Sequence, residues 1–451
     1  MSSRFKRPLV ASLLAMALPG SAWSAPSLVP VGSYDTGLGA DGAEIVSVRS
    51  SDATAALTNI AGSVDVLDLS DPSSPTLLRR VPVDPSFGTP NSVALHPKED
   101  YFLVVSGLSG ATGTVSAYRI SDGAFLASAS VGTQPDSIAI APNGKVAVVA
   151  NEAEAVDEGD DGGEGSLSVV DLDGFDAFAP ATLPVAQLAL PSQSGVAGFS
   201  VDRSDDIGRL PIDNAPATLE PESVAFARRS SRFAYVTLQE NNGVVRVDLR
   251  RNELRFFGLG ETTHAADVST SDGYLPTSTL TAFREPDGIA LTRNGRIFVT
   301  ADEGDTRNAE AAGSPRGGRT VSVFRATTGE LLGDTGSQID DAAAAAGLYP
   351  DGRSNRGGCE PEGLDLIRHR GRVLVAVGLE RANAVALVDM TAPTAPTVVS
   401  LAPVGSNPEG VKFMLRGRDL FVVSANEASG TLSVLAVAFE DVVSAPTGSG
   451  R

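Results

Sequence analysis

Six carboxylates recur at one place in a repeated motif. Glu44, Asp136, Glu222, Asp287, Glu362 and Glu409 each open an apolar run, five of them directly after a proline, and Asn91 holds the same place in PNSVAL. A second set stands where the following apolar runs end: Asn151 and Glu152, Gln239 and Glu240, Asp302 and Glu303, Glu380, and Asn426 and Glu427. Oxygen donors without clustered His or Cys select hard cations, and Ca2+ is abundant outside the cytoplasm. The expected chemistry is therefore a divalent-cation site drawn from Asp136, Glu222, Asp287, Asp302, Glu303, Glu362, Glu380 and Glu409, with calcium as the cofactor. Arg284, Arg307 and Arg381 stand beside these acids and are candidates for binding an anion, since a guanidinium fork suits phosphate or carboxylate. The competing reading is that the acids cap backbone amides of the next repeat and the arginines neutralise them.

Two acidic loops are further cation candidates. DEGDDGG, Asp157 to Gly163, only partly matches a helix-flanked calcium loop, because Gly159 replaces a ligand and position twelve is Ser168; DVSTSDG, Asp267 to Gly273, is equally acidic and turn-prone. His96, His264 and His369 are scattered, which argues against a His-based zinc or iron site. There is no G-x-S-x-G elbow, no P-loop, no G-x-G-x-x-G that follows a strand with a helix after it and no C-x-x-C-H haem site, so no residue is assigned as catalytic.

The acids gain a common location from the elements that carry them. AEIVSV, PNSVAL, PDSIAI, PESVAF, PDGIAL, PEGLDL and PEGVKF are seven inner-strand starts, and each is followed by a second and a third apolar strand. A fourth strand follows in the first six units, such as TLLRRVPV from Thr76. The pattern predicts an all-β fold, a seven-bladed β-propeller of four-stranded antiparallel blades. The last unit lacks its outer strand, and SLVPVGSY, Ser27 to Tyr34, has that pattern at the other end. This N-terminal strand is expected to close the ring on the last blade. The start of the first strand and the turn from second to third strand share one face of such a ring, and the long insertions fall there. That face is the expected functional one.

Residues 1–24 read as a signal peptide, with Arg4, Lys6 and Arg7 before an apolar run from Leu9 to Leu18 that is too short to span a bilayer. The propeller is expected over residues 25–440 and a flexible tail over 441–451. Cleavage takes the formal charge from −20 to about −23, which disfavours nucleic acid and anionic membrane as partners and favours cations. Cys359 is the single cysteine, so no intrachain disulfide forms.

REPDGIAL, TADEGDTR, LYPDGRSNRGGCEPEGLDLI, VGLERANAVALVDM, NPEGVKF and VVSANEASGTLSV resemble the choice-of-anchor I family of secreted bacterial propellers, related to mesenchyme-specific cell-surface glycoproteins. AYVTLQENNGVVRVDL is similar to the Tyr-Val-Thr-Asn type of propeller repeat, with Leu238 in place of the Asn. The resemblance implies a periplasmic or extracellular protein. Members often carry C-terminal anchors, whereas after Ala438 neither an apolar anchor nor a sorting signal follows, so release and no membrane span in the mature chain are expected. Some members are labelled alkaline phosphatase or phytase-like, which implies calcium-assisted phosphoester hydrolysis, but no residue set carries over. Two readings follow. One is a calcium-stabilised binding protein for a surface polymer, a protein or a small anionic ligand. The other is a metal-dependent phosphoester hydrolase, with a lactonase-like enzyme as a lesser possibility.

Overall fold

A computed structural model describes residues 25–108, 110–153, 165–179, 182–190, 219–304 and 317–439. The signal-peptide and tail assignments, Arg307 and the Asp157 to Gly163 loop lie outside them.

Seven four-stranded antiparallel sheets form the blades of a ring. Blade 4 is typical: strands Pro221–Phe226, Phe233–Leu238, Gly243–Asp248 and Glu253–Gly258 pair in sequence order. Alternating apolar residues and short turns make each strand, and its neighbour in sequence is its neighbour in the sheet. The last blade, Pro408–Arg416, Asp419–Asn426 and Thr431–Ala438, takes its fourth strand from Ser27–Asp35, which pairs antiparallel from Ser27 opposite Ala438 to Asp35 opposite Thr431. The closure predicted from the sequence is thus the one observed, and it removes an exposed sheet edge.

The buried apolar residues fall into seven clusters, each shared between neighbouring blades. Val64, Val66, Val93 and Phe102 fill the interface of blades 1 and 2, for example, and Leu57, Leu67, Val423 and Leu432 that of blades 7 and 1. Among the described residues no blade has a core of its own, so apolar burial stabilises the ring only when neighbours are in place. Two insertions add structure: a hairpin, Glu261–Ala266 with Ser278–Phe283, and a helix, Gln338–Ala345, whose Ile339 and Ala343 join the core between blades 5 and 6. Among the described residues no helix is long and apolar enough to cross a membrane.

The head of each inner strand is built to aim a side chain. Proline cannot donate to a ladder, and register shifts follow Pro90, Pro135, Pro221, Pro286, Pro361 and Pro408. The residues before four of these prolines, Gln134, Glu285, Glu360 and Asn407, adopt left-handed φ between 44° and 54°. That conformation is costly for a non-glycine residue and is held here by the surrounding fold. The residue after each proline, acidic in five and Asn91 in the sixth, sits on the resulting bulge.

Candidate functional site

The bulged residues meet at one mouth of the central channel. A cavity of about 450 Å3 is lined there by Glu44, Asp136, Glu152, Glu222, Asp287, Glu303, Glu362 and Glu409, with Asn91 and Gln239 among them; Lys412 is the one basic residue in this lining. A second cavity of about 490 Å3 continues toward the opposite mouth, with more apolar walls that include Leu95, Ile140, Phe226, Leu291, Leu366 and Phe413. The two cavities share Leu95, Ala139, Ile140, Val224, Ile289, Leu364 and Lys412, so they form one channel with a waist. Below the waist Arg228 of blade 4 reaches across to Asp365 of blade 6, Nη2 to Oδ2 3.3 Å. The channel is acidic at one end, and its cations lie at the waist and beyond.

Burial, with crowding added to it, raises the carboxyl pKa values. Burial, then the charges of Asp136, Glu427 and Asp41, push Glu44 up to about 8. Burial and the charges of Asp136 and Glu380 push Asp287 up to about 7. Burial is likewise the first cause for Glu222, Glu303, Glu362 and Glu409, all raised well above the usual carboxylate range, with neighbouring carboxylates adding to it. Both effects disfavour the ionised form.

Within this ring the ligand-grade spacing is local. Carboxylate oxygens of Glu303, Glu362 and Glu380 come within 4.8 Å of one another, and so do those of Glu380, Glu409 and Glu427. Neutral amides orient two of them: Gln239 Nε2 donates to Glu303 Oε2 at 2.7 Å, and Asn407 Nδ2 to Glu380 Oε1 at 2.9 Å. Asp136, Glu222 and Asp287 line the same cavity but belong to neither set.

Asp302 sits apart from the channel lining. It is fully buried and accepts from Thr300 Oγ1 and Thr320 Oγ1, each at 2.6 Å, and from Ser322 Oγ, with Arg284 Nε 3.9 Å away. Burial still lifts its pKa to about 6, against the lowering effect of Arg284 and the three hydroxyls. Neighbouring residues in a strand point to opposite sides, so of the pair Asp302 and Glu303 only Glu303 faces the channel. Asn151 and Asn426 hold the equivalent inward place, bonding Ser166 and Ser168 in one blade and Thr431 and Ser433 in the other. A hydroxyl pair two residues apart on the third strand is the signal that marks Asp302 as a blade clamp.

The arginines are also committed. Arg284 is 2% exposed; it donates to Ser322 Oγ, to the carbonyls of Leu259 and Glu261, and to Asp334 Oδ2 at 2.7 Å. It anchors the inserted hairpin and presents no donor to a ligand. Arg381 stands at the rim, its Nη1 2.7 Å from Glu380 Oε1 and its Nε 2.9 Å from Glu360 Oε2. Glu360, fully buried between Arg381 and Arg353 (Nε to Oε1 2.7 Å), lies outside the candidate set drawn from the sequence. Its signal was an acid directly before the proline, repeated as Glu220, Glu285 and Glu360. In the Asp267 loop, the Asp267 carboxylate accepts from the backbone N–H of Ser269 and of Leu275, which fixes the turn.

Comparison with known proteins agrees with this architecture. The family model described as the choice-of-anchor I domain matches residues 44–316 and 309–393. Among solved structures, Kuenenia stuttgartiensis hydrazine synthase is similar, with 15% identity, 89% of this chain and 97% of that chain covered, and a TM-score of 0.57. The β-propeller domain of Myceliophteria thermophila Cps50 (Swd1) is similar at 11% identity, over 91% of this chain and 100% of that one, with a TM-score of 0.52. At such identity the likeness concerns the fold alone. No curated protein matches the sequence significantly.

Proposed function

We propose, for a chain that belongs to the choice-of-anchor I family and so to a group of cell-surface or secreted propellers, that it is a calcium-stabilised binding protein whose ligand face is the acidic mouth of the channel. The observation that carries this reading is eight carboxyl groups lining one cavity with Lys412 as the only basic residue in that lining. Such groups keep their charge at neutral pH only if cations join them. Glu303, Glu362 and Glu380 would hold the ion: they are oxygen donors at a spacing that suits Ca–O distances of about 2.3–2.6 Å. Gln239 and Asn407 would orient them from behind, as outer partners of metal ligands commonly do. A bound calcium would tie blades 5 and 6 together and turn a repulsive rim into one able to receive a partner's oxygen groups.

The test is thermal unfolding of the purified chain with calcium and with chelator. Calcium at a hundredfold its Kd should stabilise by about 2.7 kcal/mol, and the double change Glu303→Gln and Glu362→Gln should remove the shift. An unchanged Tm in the wild type would remove the ion from the proposal. Turnover of a generic phosphomonoester, lost with chelator and with Asp287→Ala and Glu362→Ala together, would favour a hydrolase instead.

A further inference from the structure

The two sides of the acidic ring are built differently. In blades 5, 6 and 7 glycine follows the carboxylate, and a Cβ there would lie 2.5 Å from Glu362 O at Gly288, 1.8 Å from Glu409 O at Gly363 and 2.7 Å from Val46 N at Gly410. Inner strands on this side are therefore pressed together, and both channel triads with metal-ligand spacing lie there. In blades 2, 3 and 4 serine takes that place. The hydroxyls stand between strands instead: Ser92 Oγ accepts from Ile138 N at 3.4 Å and Ser137 Oγ from Val224 N at 3.3 Å.

Glu222 belongs to the serine side. It is 9% exposed, lines the cavity, and its Oε2 is buried without a hydrogen-bond partner. A carboxylate oxygen so placed costs free energy unless something donates to it. Among the described residues, Glu222 is in none of the sets whose oxygens come within 4.8 Å. Calcium needs oxygens on its opposite sides roughly 5 Å apart. A guanidinium can serve acceptors roughly 7–8 Å apart, given N···O distances of about 2.9 Å and the width of its planar fork.

We propose that Glu222, with Asp136 and Glu152 beside it, receives the terminal guanidinium or ammonium group of an organic ligand, separately from the ion on blades 5 to 7. The ligand enters head first from the acidic mouth. Lys412 at the waist repels a second positive charge further in, so a ligand with one cationic end fits better than a threaded polyamine. A small molecule and the basic side chain of a protein present the same group. The inference rests on the acidic mouth being the ligand face, and it does not require calcium.

The test is calorimetric titration of the full chain at pH 8 with n-butylguanidinium, in chelator and in saturating calcium, and with a short Gly/Ser peptide carrying one internal arginine. One probe should bind per chain under both conditions. Glu222→Gln should weaken it tenfold or more while leaving the calcium-induced Tm rise, and Glu362→Gln should do the reverse. Asp136→Asn provides a second variant should Glu222→Gln not fold. Binding of the peptide as well would identify a protein side chain as the source, and binding of the small probe alone a small molecule. Wild-type affinity in both Glu222→Gln and Asp136→Asn, or one-for-one displacement of the probe by calcium, would overturn the inference. Calcium binding without any probe binding would overturn it while sparing the cation reading; failure of both ligands would sink the two together.

Discussion

The carboxyl crowding at the channel mouth can be weighed through Glu44. Its pKa, raised from 4.5 to about 8 by burial and by Asp136, Glu427 and Asp41, means that the folded chain holds this proton more tightly than the unfolded chain does. The stability tied to it is fully present below pH 4.5 and is lost as pH rises toward 8. At 1.36 kcal/mol for each pH unit the loss reaches about 3 kcal/mol at pH 7 and about 5 kcal/mol at pH 9. These are ceilings, because a mouth open to water relaxes around the charge. The perturbation is Glu44→Gln, which keeps the shape and removes the ionisable group. Urea unfolding in chelator at pH 5, 7 and 9 should show the wild type losing stability as pH rises, with the variant equal to it at pH 5 and more stable by up to these amounts at pH 9. The other raised carboxyls leave a residual slope in the variant. A wild type at least as stable at pH 9 as at pH 5, or a variant with the same slope, would refute the claim that burial and neighbouring carboxylates disfavour the charged form of Glu44 in the folded ring.

Two further outcomes follow from the same geometry. Asp302→Ala leaves three hydroxyls without their acceptor and takes one of two carboxylates from buried Arg284; unfolding free energy should fall by about 3–5 kcal/mol, read from the urea midpoint. Deleting residues 27–35 strips the strand from Thr431–Ala438 and takes Leu28 out of the core between blades 6 and 7; the truncated chain should elute as oligomers or aggregate in size-exclusion chromatography, and a stable monomer would mean the ring holds without its closure.

What the chain spelled out locally was the repeat: apolar alternation, turn residues, the proline before five of the six acids and the spare strand at Ser27 are all short-range patterns. They suffice for the number of blades, for the strand that closes the ring and for the gathering of six carboxylates, five of them on bulges, at one mouth, because each blade repeats the same geometry. Distances between carboxylates of different blades are another matter. That carboxylate oxygens of Glu303, Glu362 and Glu380 come within 4.8 Å of one another while Glu222 joins no such set among the described residues depends on how closely neighbouring inner strands approach. Likewise Asp302 and Arg284 read as site residues beside their acidic neighbours, yet the strand turns Asp302 into its blade and the inserted hairpin engages Arg284. A side chain's type is written in the sequence, but whether it meets a ligand or its own fold is set by partners tens of residues away, which only packing brings together.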